Sequence, residues 1–131
     1  MTGIDTFLEE ARTNLNRLTP AEVDALPDDN TLIIDIRPLH NRLAEGEIPN
    51  SIPVERIVLE WRLDPRGSHR LPNFTADTTV VVLCNEGYSS SLAARDLQRV
   101  GLPKATDLIG GFRAWATAGL PIRKGGTQAI T

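Results

Sequence analysis

The chain has 131 residues, enough for one compact domain with a sizeable core; 40% are hydrophobic and 24% charged, as in an ordinary soluble globular protein. A formal charge of −3 argues against a general nucleic-acid-binding surface, and no apolar run approaches the roughly 20 residues that span a bilayer. One cysteine forms no internal disulfide, and with two histidines it makes a poor zinc site, so neither metal nor cofactor is expected. Met1-Thr2-Gly3-Ile4-Asp5 lacks the basic start and apolar core of a secretion signal, which points to a reducing, cytoplasmic compartment.

Ile4, Phe7, Leu8, Ala11, Leu15 and Leu18 recur at helical spacing and predict an amphipathic helix over about 4–18. Thr19-Pro20-Ala21-Glu22 is a capping-box pattern with proline at the first helical position, opening a short helix to about Leu26. Thr31-Leu32-Ile33-Ile34-Asp35-Ile36 reads as a buried strand. Pro38 opens a short helix that Gly46 closes, and Ile48 to Val54 is a turn with a brief extended piece. Arg56 to Leu63 predicts another short helix, and the polar stretch from Asp64 to Asn73 an exposed loop.

Thr79-Val80-Val81-Val82-Leu83-Cys84 is the strongest strand. Ala93, Leu97 and Val100 place one face of the next helix at i, i+4, i+7 spacing, and Gly101 stops it. Ala105 to Ile109 predicts a short strand, and Gly110-Gly111 turns into a helix ending at Gly119-Leu120-Pro121. The core is expected over about 21–122, with a flexible tail over 123–131. Strands alternating with helices predict a single α/β domain on an open, mostly parallel sheet, with ligands beyond the carboxyl ends of the strands.

Cys84 falls at such a strand end, followed by the loop Asn85-Glu86-Gly87-Tyr88-Ser89 and the helix start Ser90-Ser91. Gly87 permits a positive φ, and the loop N–H groups together with the helix N-terminus form a cradle for an anionic sulfur. The helix alone supplies about 0.3–1 kcal/mol, so the loop amides must add to it. A lone cysteine is otherwise read as a small buried hydrophobe; strand, glycine loop and serine-rich helix start together favour the reactive thiol.

Three stretches resemble the single-domain rhodanese family of sulfurtransferases. Asp35-Ile36-Arg37 with Gly46-Glu47-Ile48-Pro49-Asn50-Ser51-Ile52 is similar to the family's Asp-x-Arg and Gly-His-Ile-Pro-Gly-Ala segments. Cys84-Asn85-Glu86-Gly87-Tyr88-Ser89-Ser90 resembles its active loop, Cys-x-x-Gly-x-Arg-Ser/Thr, and Gly110-Gly111-Phe112-Arg113-Ala114-Trp115 its closing Gly-Gly-x-x-x-Trp. The resemblance implies a sheet with helices on both faces. It also implies a Cys84 persulfide that takes sulfane sulfur from a small donor and gives it to cyanide, a thiol or a protein cysteine. Asn85, Glu86, Gly87, Tyr88, Ser89 and Ser90 would surround the substrate, with Asp35 and Arg37 structural near the site.

Ser89 stands where the family has a loop arginine, and Glu86 repels anions, so efficient use of thiosulfate is not expected from this loop. Arg56 or Arg62 is a candidate for the missing cation, against the default of a solvated face paired with Glu55, Glu60 and Asp64. Trp61 and Trp115 are expected as packing anchors, His40 and His69 as surface residues. Two rivals stand beside the enzyme reading: a catalytically weak or inactive binding module, and a cysteine phosphatase. The phosphatase requires an arginine where this chain has Ser90.

Overall fold

The computed structural model describes residues 1–131. Four parallel strands run in the order β2-β1-β3-β4: β1 Thr31–Asp35, β2 Ile52–Pro53, β3 Thr79–Leu83 and β4 Ala105–Asp107. Successive side chains of a strand point to opposite faces, and β3 uses both. Val80 and Val82 join a core with Leu59, Leu63, Ala93, Ala94 and Leu97. Val81 and Leu83 join a second with Val23, Leu108, Phe112 and Trp115. The helices α4 (Leu59–Arg62) and α5 (Ser89–Arg99) thus cover one face, and α2 (Pro20–Asp24) and α6 (Gly111–Thr117) the other.

β1 pairs with β2 on one side and β3 on the other, so the chain reverses direction across the sheet between β1 and β3. Asp35 and Cys84 fall at the carboxyl ends of β1 and β3 beside that switch point, the place where open α/β sheets bind ligands.

Three expectations require correction. The first helix, α1, spans Gly3–Arg12 and stops well short of residue 18. Leu15 packs against one core and Leu18 belongs to the other; residues three apart on a helix share a face, so the helix must end before both can be buried. Trp61 is 62% exposed, because Leu59 and Leu63 occupy the buried side of α4 and Trp61 lies between them. Trp115 is buried and donates its indole N–H to Pro121 O at 2.8 Å.

The third correction concerns the tail over 123–131. Arg123 and Glu47 exchange backbone hydrogen bonds at 2.8 and 3.0 Å, and Ile130 N donates to Pro53 O at 2.9 Å. Glu47, fully buried, binds Arg42 Nη1 at 2.8 Å, Arg123 Nε at 3.0 Å and the Thr127 hydroxyl at 2.7 Å. A buried carboxylate demands such partners, and supplying them fixes the tail. Helix α3 (Leu39–Glu45), which carries Arg42, is held by the same group.

Burial raises the Glu47 pKa, but the Thr127 hydroxyl and the Arg42 and Arg123 guanidiniums outweigh it and bring it from 4.5 to about 2. The folded value lies below the unfolded one, so the contribution of Glu47 is full above pH 4.5 and is lost as pH falls toward 2. Glu47→Gln strands the buried Arg42 and should cost about 3–5 kcal/mol in urea unfolding at pH 7. The wild-type advantage should shrink when the same titration is run on the acid side of pH 4.5.

Candidate functional site

The loop from Cys84 to Tyr88 leaves β3 and enters α5, the helix whose first residue is Ser89. Gly87 N–H donates to Cys84 Sγ at 3.2 Å and Ser90 N–H at 3.4 Å. Cys84 is 8% exposed, dry enough for these dipoles to count.

Backbone packed on backbone holds the loop in this shape. Gly87 has φ +86°, and a Cβ there would stand 2.7 Å from Gly110 N. A Cβ on Gly111 would stand 2.6 Å from Cys84 O. Phe112 N–H donates to Cys84 O at 2.9 Å and Arg113 N–H to Asn85 O at 3.1 Å. The Gly110-Gly111 pair therefore lets the first turn of α6 press directly on the loop, which gives that dipeptide its physical meaning.

Each residue expected at the site can now be placed. Asn85 lies between Glu45, to which its amide donates at 3.2 Å, and Arg37 Nη1 at 3.5 Å. Glu86 is exposed and pairs with Arg113 at 3.4 Å, which offsets its repulsion of anions; Arg113 also binds Glu45 at 3.3 Å. Tyr88 is exposed at the N-terminus of α5, while Ser90 is buried. Asp35 and Arg37 form a buried ion pair at 2.8 Å, and Arg37 also donates to Gly46 O at 2.7 Å and covers the Phe112 ring at 4.0 Å.

Arg56 and Arg62 do not supply the loop cation. Arg56 binds Glu60 and Asp96, each at 2.9 Å. Arg62 donates to the carbonyl oxygens of His69 and Thr131. Neither forms a hydrogen bond or ion pair with residues 84–90. Besides Arg37 on Asn85 and Arg113 on Glu86, Arg12 and Arg17 reach the loop, both on Gly87 O, at 2.8 and 2.9 Å.

Asp107, at the end of β4, also escaped the sequence reading. It is fully buried and accepts hydroxyl hydrogen bonds from Ser90 and Ser91, both at 2.8 Å, and Arg17 Nε at 2.9 Å. A polar residue in a short apolar strand was the available signal; its partners, 16 to 90 residues away, left none.

Burial raises the Cys84 pKa, while the Ser90 hydroxyl and N–H, the Ser89 hydroxyl and the Gly87 N–H lower it further, leaving the thiol below its ordinary value. The Ser90 hydroxyl has one proton and sits 2.8 Å from Asp107, so the two backbone N–H groups are the firmer support. No cluster of three His, Cys, Asp or Glu side chains is arranged to hold a metal, and no helix is long and apolar enough to cross a membrane.

Residues 19–118 match the sequence model of the Rhodanese-like domain. The chain belongs to that family. Among the relatives of this rhodanese-like domain, the thiosulfate sulfurtransferase GlpE of Stutzerimonas stutzeri is 31% identical over 107 residues, covering 79% of this chain and 86% of that protein. The adenylyltransferase and sulfurtransferase of Zea mays is 34% identical over 102 residues, 76% of this chain; the chain spans only 21% of that larger protein. A solved Rhodopseudomonas palustris structure, described as a protein of unknown function and possible tyrosine phosphatase, is 36% identical with a TM-score of 0.84, covering 94% of this chain and 96% of that one.

Two outcomes follow from the loop geometry. Iodoacetamide alkylation of Cys84 should level off at lower pH than it does for a free thiol, whose pKa is about 8.5. Gly87→Ala forces a left-handed residue against Gly110; it should cost about 1–3 kcal/mol in urea unfolding and slow that alkylation.

Proposed function

We propose that this chain transfers sulfane sulfur through a persulfide on Cys84. The convergence of the Gly87 and Ser90 N–H groups on Sγ, at 3.2 and 3.4 Å, carries the reading. The thiolate electron pair forms a bond to the sulfane sulfur of the donor. The bond from that sulfur to the rest of the donor breaks, and the donor remnant leaves with its electron pair. An acceptor nucleophile then attacks the outer sulfur, the S–S bond breaks, and its pair returns to Cys84. Both charged states of the cysteine are anions, which amide dipoles stabilise without reorganisation.

Cys84 has no second cysteine to resolve it, so the acceptor comes from outside the chain: a thiol, cyanide or a protein cysteine. Ser89 contributes no charge to the loop, so thiosulfate should be a poorer donor than an organic persulfide. The sulfurtransferase names of the Stutzerimonas stutzeri and Zea mays relatives support the reaction class.

The phosphatase description of the Rhodopseudomonas palustris relative finds less support in this chain. Ser90 occupies the position where bidentate grip on a phosphoryl group calls for a guanidinium.

Incubation of the reduced protein with a small organic persulfide, followed by intact-mass measurement, should show the gain of one sulfur atom, lost on adding cyanide and absent from Cys84→Ser. An aryl phosphate should not be hydrolysed. Absence of the added sulfur with every donor class, while Cys84 remains alkylatable, would return the chain to a binding module.

A further inference from the structure

Two arginines that grip the active loop from outside lie before the matched family region, which begins at residue 19. Arg12, the last residue of α1, donates Nη2 to Gly87 O at 2.8 Å and Nε to Ser91 Oγ at 2.9 Å. Arg17 donates Nη2 to the same carbonyl at 2.9 Å and binds Asp107 through Nε at 2.9 Å and Nη2 at 3.2 Å. Two guanidiniums converge on one carbonyl oxygen, and a single carboxylate, Asp107, compensates them.

The other charged groups around the loop make this surplus matter. From β1 come Asp35 and, just beyond it, Arg37, paired at 2.8 Å. From α3 comes Glu45, from the loop Glu86, and both bind Arg113 of α6. From β4 comes Asp107. Asp35, Glu45, Glu86 and Asp107 thus face only Arg37 and Arg113 within the matched region. Arg12 and Arg17 bring the set to balance, and Ser89 leaves the loop itself without a cation.

We infer that Arg12 and Arg17 are positioning residues for Cys84, orienting the loop amides and supplying from the N-terminal segment the positive charge that the loop lacks. This inference rests on Cys84 being the sulfur carrier. Gly87 O and the Tyr88 N–H belong to one trans peptide and point in opposite directions. Holding that oxygen fixes the peptide plane between Gly87, whose own N–H lies on the sulfur, and the helix start that brings the Ser90 N–H to it. Through Asp107, Arg17 also anchors Ser90 and Ser91, the first turn of α5, and so holds the Ser90 N–H on the sulfur. Arg12 lies beside the exposed Tyr88 ring, 6.0 Å from its centroid, so the grip extends to the mouth of the site.

The test follows the rate of iodoacetamide alkylation of Cys84 against pH in the full chain. Arg12 binds no carboxylate, so Arg12→Gln removes a charge without stranding a buried anion. It should move the midpoint to higher pH and slow alkylation about 3- to 10-fold at neutral pH, the effect of losing a nearby opposite charge. Arg17→Gln should do the same, with Arg17→Lys closer to wild type; if Arg17→Gln fails to fold, the double variant Arg17→Gln, Asp107→Asn removes the stranded carboxylate. A folded Arg12→Gln protein with wild-type midpoint and rate overturns the inference. Alkylation needs no sulfur donor, so failure of the wild type to gain sulfur would overturn the transfer reading while leaving this result to stand on its own.

Discussion

The register that sets Thr31 beside Thr79 and Asp35 beside Leu83 fixes where everything else in the molecule can go. With β2 on the far side of β1, the connections after β1 and β3 run to opposite sides, and the strand ends between them form the switch point at which open α/β sheets bind ligands. The Asp35–Arg37 pair and Cys84 therefore lie at the adjacent carboxyl ends of β1 and β3. Arg37 bridges them, reaching Asp35, Gly46 O and the Asn85 side chain.

Around the sulfur, backbone dipoles rather than formal charges make the direct contacts. The sulfur meets two N–H groups at hydrogen-bonding distance, while each nearby guanidinium is aimed at a carboxylate or a carbonyl oxygen. The loop keeps its shape because Gly87, Gly110 and Gly111 let two backbone segments approach more closely than any side chain allows. Two N–H groups on the sulfur and a loop sequence without arginine thus coexist in the same segment.

What is legible in the sequence is what is local. The apolar β-branched run of β3, the helical spacing of α5 and the capping box of Thr19 with Glu22 are written within a few residues, and the structure contains all three. The three motif stretches, taken in order, lead to the family. Distant partnerships leave no such trace. Nothing around Arg12 or Arg17 marks them as partners of Gly87, some 70 residues on. Leu15 and Leu18 keep a helical spacing and yet end on opposite faces of the sheet. The tail over 123–131 looks too polar to hold, because its anchor is a buried carboxylate at position 47 rather than an apolar stripe of its own.

The two short contacts made by Leu18 and Ile130 have a consequence beyond holding the chain ends. Leu18 pairs in parallel with Leu108 next to β4, and Ile130 in parallel with Val54 next to β2. These are the two outer strands of the sheet, whose free N–H and C=O groups would otherwise template pairing with another chain. Both guards lie outside residues 19–118. A fragment trimmed to the family boundaries would lose both contacts and leave the two outer strands without them.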